Sequence, residues 1–235
     1  IKWAALISAD DIQDEVQRIR LRLTENLSSI GKYNAHYNKE IRWDGTSLAA
    51  LAAIAAVHPD KVGWKLQAAH IRDLASKMVT ATAGGLGQKP YAATRKEFDD
   101  VTRLLDGAPV AGLPAAIPIV PFTTVVKRQS LMHALEEGTD YLKANFQNPG
   151  PFQKAGKEIT RKTLILSAFC TILSTKGYPG AHDPEYQEFL SLLKNANLTM
   201  ANAARNQDFA TFTKAKEKTA KYCAGCHAIY AAGAE

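Results

Sequence analysis

Near the C-terminal end of the chain runs Cys223-Ala224-Gly225-Cys226-His227. Two thiols at this spacing can each add across a vinyl group of one porphyrin, and the imidazole that follows can bind the iron; this is the c-type haem attachment pattern. On a helix the two cysteines share a face, and His227 comes directly after the second. A redox Cys-x-x-Cys beside an unrelated histidine is the rival reading, but a thioredoxin-like motif needs a strand leading into a helix N-terminus. A zinc site would want further Cys and His partners, and the third cysteine, Cys170, lies on an apolar helical face. The expectation is therefore one covalent haem c, anchored by Cys223 and Cys226 with His227 as axial ligand.

Strand signals are sparse, whereas apolar residues recur at three- and four-residue spacing, so the chain reads as all-α. In the second half, Met132, Leu135, Leu142 and Phe146 mark one seam, and Ile159, Leu166, Phe169 and Leu173 a second. Tyr186, Phe189, Leu193, Ala196, Met200 and Ala203 mark a third, and a last helix runs from about Asp208 through Phe212 and Ala215 to the cysteines. Gly177 with Pro179, and Asn206 with Asp208, punctuate the joins. Four amphipathic helices with short loops hide their stripes by packing together, the logic of a four-helix bundle.

The first half repeats the pattern. A shift of 118 residues sets Lys39-Glu40-Ile41 on Lys157-Glu158-Ile159, Leu48 on Leu166 and Leu51 on Phe169; a shift of 122 sets Trp64 on Tyr186, Ile71 on Leu193 and Met78 on Met200. The first shift returns at the end, where Tyr91 meets Phe209 and Gly107 meets Gly225. An internal duplication follows, with chance matching of Ala, Leu and Lys as the alternative. The expected organisation is two tandem four-helix bundles: residues 1–108 without haem, a Pro-rich linker over 109–124, and a haem-binding bundle over 125–235. The proline stretch from Gly107 to Pro121 cannot sustain a helix, and Leu113, Ile117, Ile119 and Val120 are expected to lay it against a bundle. In the first copy Leu105, Ala108 and Pro109 stand where the cysteines and histidine would be, so that half cannot hold a covalent haem.

A bundle whose last helix ends in Cys-x-x-Cys-His resembles the class II cytochromes c, the cytochrome c′ and cytochrome c-556 family, over about Val125 to Ala232. Class I cytochromes c carry the motif near the N-terminus. The family's first helix begins with a basic residue followed four positions on by the residue facing the distal side of the haem; here the run is Arg128-Gln129-Ser130-Leu131-Met132. The resemblance implies the low-spin c-556 branch, with Met132 as sixth ligand and Arg128 beside the haem. Two features depart from the family: no Arg follows His227, which is succeeded by Ala228-Ile229-Tyr230-Ala231, and the haemless copy is additional.

His/Met ligation raises the potential and closes the iron to other ligands, which suits electron transfer. If Met132 merely fills the core, the iron is five-coordinate and open to NO or CO, the work of a gas sensor or carrier. Met200 is a weaker rival ligand because its counterpart Met78 suggests packing, and His133 is expected at the surface. A third reading makes the haemless bundle a partner-recruiting module. No triad, phosphate loop or paired catalytic carboxylates appear, so an enzyme is not expected.

The net charge of +6 is spread among acidic residues, without a nucleic-acid signature. A denser patch at Lys214, Lys216, Lys218 and Lys221 suits an acidic redox partner protein. No apolar stretch has the length of a membrane span, so a soluble protein is expected. The N-terminus has neither an initiator Met nor a signal-like h-region and reads as a processed end, which with covalent haem implies the periplasm and a removed signal peptide. The haemless bundle is expected to act as a pseudo-dimer partner within the chain, in place of or beside a homodimer.

Overall fold

The computed structural model describes residues 1–230, and those residues form helices and connecting turns without a strand. The all-α class is thus correct. The chain divides into two compact units, Ile1–Ala134 and Leu135–Glu235.

The first unit opens with α1 (Ala9–Asn26), capped by the Ser8 hydroxyl, which accepts from the Asp11 amide at 3.1 Å. Ile12, Val16, Ile19 and Leu23 repeat every three or four residues and are fully buried, as a one-faced helix requires. A short α2 (Ile30–His36) follows, then α3 (Glu40–Val57), α4 (Ala68–Thr82) and α5 (Gln88–Leu105). Helix α3 differs in kind: Leu48 through Ala55 are all buried, so it has no outward stripe and must be covered on every side. Small side chains make this cheap, and Gly45 admits Met78 so closely that an added Cβ would lie 2.6 Å from its methyl carbon.

Helix α5 ends on a Schellman turn. Gly107 takes a left-handed φ of 77°, its amide donates to Leu104 O at 3.1 Å, and the Ala108 amide donates to Arg103 O at 2.8 Å. The prolines then hold the chain open until the short α6 (Phe122–Val125). The linker does lie against the first unit, but only part of its apolar set contributes: Leu113 and Val120 are half-buried, whereas Ile117 and Ile119 are 63% and 73% exposed. Its backbone does the rest. Arg72 on α4, only 1% exposed, donates to the carbonyls of Ile117 at 2.9 Å and Pro118 at 3.3 Å, and its Nε donates to Asp73 at 2.7 Å. Prolines cannot donate but leave their neighbours' carbonyls available, and a fixed guanidinium fork reads them.

Helix α7 (Arg128–Asn145) crosses from the first unit into the second, so the unit boundary falls inside a helix and not in the Pro-rich linker. The second unit continues with α8 (Pro149–Lys154), α9 (Gly156–Leu173), α10 (Pro184–Arg205) and α11 (Phe209–Tyr230). Its centre is α9, buried continuously from Thr163 to Cys170. Phe152 of α8 packs on Phe209 and Phe212 of α11 with ring centroids 5.4 and 4.8 Å apart. Asp183 and Asp208 cap α10 and α11 through the amides of Glu185 and Thr211, both at 2.9 Å. The first helix of this unit closes on α9 at Gly138, where an added Cβ would lie 2.6 Å from a Leu166 methyl.

Replacing Gly138 by Val is therefore expected to lower stability by about 2 kcal/mol through overpacking, with part of the loss recovered in a Gly138→Val, Leu166→Ala double variant. Urea unfolding of the three variants checks this. Replacing Arg72 by Met is expected to cost about 1–3 kcal/mol and to speed protease cleavage within residues 107–121, read by limited proteolysis.

Candidate functional site

The cysteine motif sits inside the last turns of α11, a long helix favoured by the Ala, Lys and Glu residues between Lys214 and Lys221 and by the Asp208 cap. Its far end is fastened to the start of α10. Tyr230 packs edge-on against Tyr186 at 5.2 Å, and the Tyr230 hydroxyl beside Asp183 holds that carboxyl below its usual range. Midway, Gly225 lets α11 approach Phe189, whose ring carbon would stand 3.0 Å from an added Cβ.

Within this helix, residues three and four apart fall on one face, so Cys223, Cys226 and His227 project within a sector of about 100°. Cys226 is 2% exposed, Cys223 is half-buried and His227 is exposed. Neither thiol is in a disulfide. Burial pushes the Cys223 thiol up from 9.0 to about 11; Lys143 draws it down, and the neighbouring Cys226, Glu136 and Asp140 push it up. The groups on α7 that Cys223 senses are thus Glu136, Asp140 and Lys143, at positions that share one helical face. Met132 stands one turn before Glu136 on that face.

Met132 is half-buried, and Leu131 takes the fully buried position beside it, a shift of one residue from the interior placement that the seam suggests. Met78 and Met200 are core residues, as their matching positions imply. Arg128 is half-buried in the first turn of α7. His133 is exposed, as expected, and its ring also stacks on Trp43 with centroids 6.0 Å apart. Cys170 is buried and free on α9; burial pushes its thiol up, and Cys223 and Cys226 are near enough to add to the effect.

Two thiols outside any disulfide and an imidazole lie on one face of one helix, and these are the donor types that covalent haem attachment uses. Among the described residues no cluster of three or more His, Cys, Asp or Glu has the arrangement of a metal-ion site. His58, buried in the first unit, is structural: its Nδ1 accepts from the Asp60 amide at 3.1 Å and its Nε2 faces Ile7 O at 3.0 Å.

Of the basic patch, Lys214, Lys218 and Lys221 are exposed and line up along α11. Lys216 is set apart from them. It is half-buried, donates to Phe146 O at 2.8 Å and lies 5.2 Å from the centre of the Phe212 ring, and burial pulls its ammonium below the usual range.

Because folding favours the protonated Cys223 thiol, its contribution is intact below about pH 9 and is lost as pH rises toward 11. The haem-free chain is expected to lose stability across that window, and Cys223→Ser to flatten the loss. Urea midpoints at about pH 8 and about pH 10.5 measure it.

No family model, characterised protein or solved structure matches the chain. Among the described residues no helix is long and apolar enough to cross a membrane.

Proposed function

We propose that this chain is a monohaem c-type cytochrome of the class II kind that transfers electrons. The observation that carries the reading is the placement of Cys223, Cys226 and His227 on one face of the last turns of α11, with both thiols unbridged. Cys223 and Cys226 would hold the group by thioether bonds, His227 would be its proximal ligand and Met132 its distal one. A bound haem with His/Met ligation would supply a one-electron couple of raised potential. The protein's part is to keep the attachment helix fixed through Asp208, Tyr230 and the Phe152 cluster, and to bury Cys226 beside an apolar centre.

Met132 supports the six-coordinate reading over the open-iron one. Met78 and Met200 do what core methionines do, whereas Met132 leaves the innermost position to Leu131 and keeps its thioether available. Arg128, one turn earlier, is proposed to stand beside the same group. Lys214, Lys218 and Lys221 offer a cationic rim to an acidic redox partner.

We further read the units as two four-helix bundles descended from one, α1, α3, α4 and α5 answering to α7, α9, α10 and α11. The shared order, with a short helix after the first long one in each unit, supports this. The haemless bundle would stand in for the second subunit of a dimer. Covalent attachment takes place on the oxidising side of a bacterial membrane, so the proposed location is the periplasm.

A pyridine haemochrome assay is expected to give one haem per chain, retained through acid-acetone extraction. Loss of pigment on extraction, or two haems, would overturn the assignment. In the ferric protein the Met-sulfur charge-transfer band is expected, and Met132→Ala is expected to abolish it and convert the spectrum to high spin. A wild-type spectrum already high-spin would favour NO or CO binding over electron transfer.

A further inference from the structure

A cavity of about 210 Å³ lies within the first unit, walled by α3, α4, α6 and the beginning of α7. Its lining includes two cations, Arg42 and Lys127, and no carboxylate. The Nε of Arg42 is buried and has no hydrogen-bond partner, and neither cation makes an ion pair among the described residues. A buried guanidinium N–H without an acceptor is costly, so its persistence at a cavity wall asks for an acceptor from outside the chain.

The other groups agree in sign. The hydroxyls of Thr80 and Thr124, also in the wall, are spent on the carbonyls of Ser76 and Pro121. Those of Thr123 and Ser130 are not committed in this way and can donate into the space. Ser130 lies in the first turn of α7, an 18-residue helix whose leading amides have no carbonyl of their own and carry the positive end of its dipole. Two cations, two free hydroxyls and a helix start around one small cavity favour a charged acceptor with several oxygens. The volume is below the range of about 300–1,000 Å³ used by drug-sized ligands.

We propose that this cavity is a binding site for a small oxyanion of the phosphate class, held by Arg42, Lys127, Thr123 and Ser130. It is independent of the haem motif. The ligand is an inorganic phosphate or the phosphoryl end of a small monoester; a carboxylate, with fewer oxygens to satisfy, binds more weakly.

Titration calorimetry of the full chain with inorganic phosphate, glycerol phosphate and acetate tests this. One saturable site for phosphate or its monoester is expected, at least tenfold tighter than for acetate. Arg42→Gln and Lys127→Met are each expected to weaken it at least tenfold, while Lys218→Met on α11 leaves it unchanged. If Arg42→Gln fails to fold by circular dichroism, Lys127→Met decides alone, since Lys127 is exposed. Binding that does not saturate, that is equal for acetate, or that falls equally in Lys218→Met would overturn the site.

Discussion

A helix that is apolar on every side cannot face water, and each unit of this protein is organised around one. In the second unit that helix is α9, buried without interruption from Thr163 to Cys170. The neighbouring helices are long and one-faced because their task is to cover it. This requirement sets the course of α11, and hence where its two cysteines come to lie. Close approach is bought locally with glycine: Gly138 meets Leu166, and Gly225 meets Phe189.

The same logic explains which groups are buried with a partner and which are not. Arg72 is the largest side chain to be fully buried, and it is tolerated because two linker carbonyls and Asp73 accept its protons. Asp44, also buried, is answered by Arg22 at 2.5 Å. Lys216 spends its ammonium on a carbonyl and an aromatic face. Against this background of matched charges, the unmatched Arg42 stands out.

Periodicity made the helical class and the long helices legible, because on a one-faced helix such as α10 the spacing of Tyr186, Leu193, Ala196, Met200 and Ala203 encodes burial directly. The caps at Asp183 and Asp208 follow from residue type. What the residues could not reveal are features set by tertiary context. Isoleucines in the linker read as contact residues, yet Ile117 and Ile119 are exposed, and it is the carbonyls of Ile117 and Pro118 that Arg72, distant in sequence, receives. Helices α2 and α8, of seven and six residues, carry too few turns for a period. On α7, Leu131 and Met132 are adjacent apolar residues, and only packing decides which goes inside. The cysteine motif was legible as chemistry; the α7 face that Cys223 senses was not.

The Schellman end of α5 has a bearing on where chemistry can reside. Gly107 turns left-handed and sends the chain away into the linker, whereas Gly225, 118 residues further on, stays helical and α11 continues for more than another turn. A helix terminus can be used as an exit for the polypeptide or as a platform for side chains, but the same turn cannot serve both. Connectivity claims that position in the first unit, and the corresponding backbone in the second is left over to bear reactive groups.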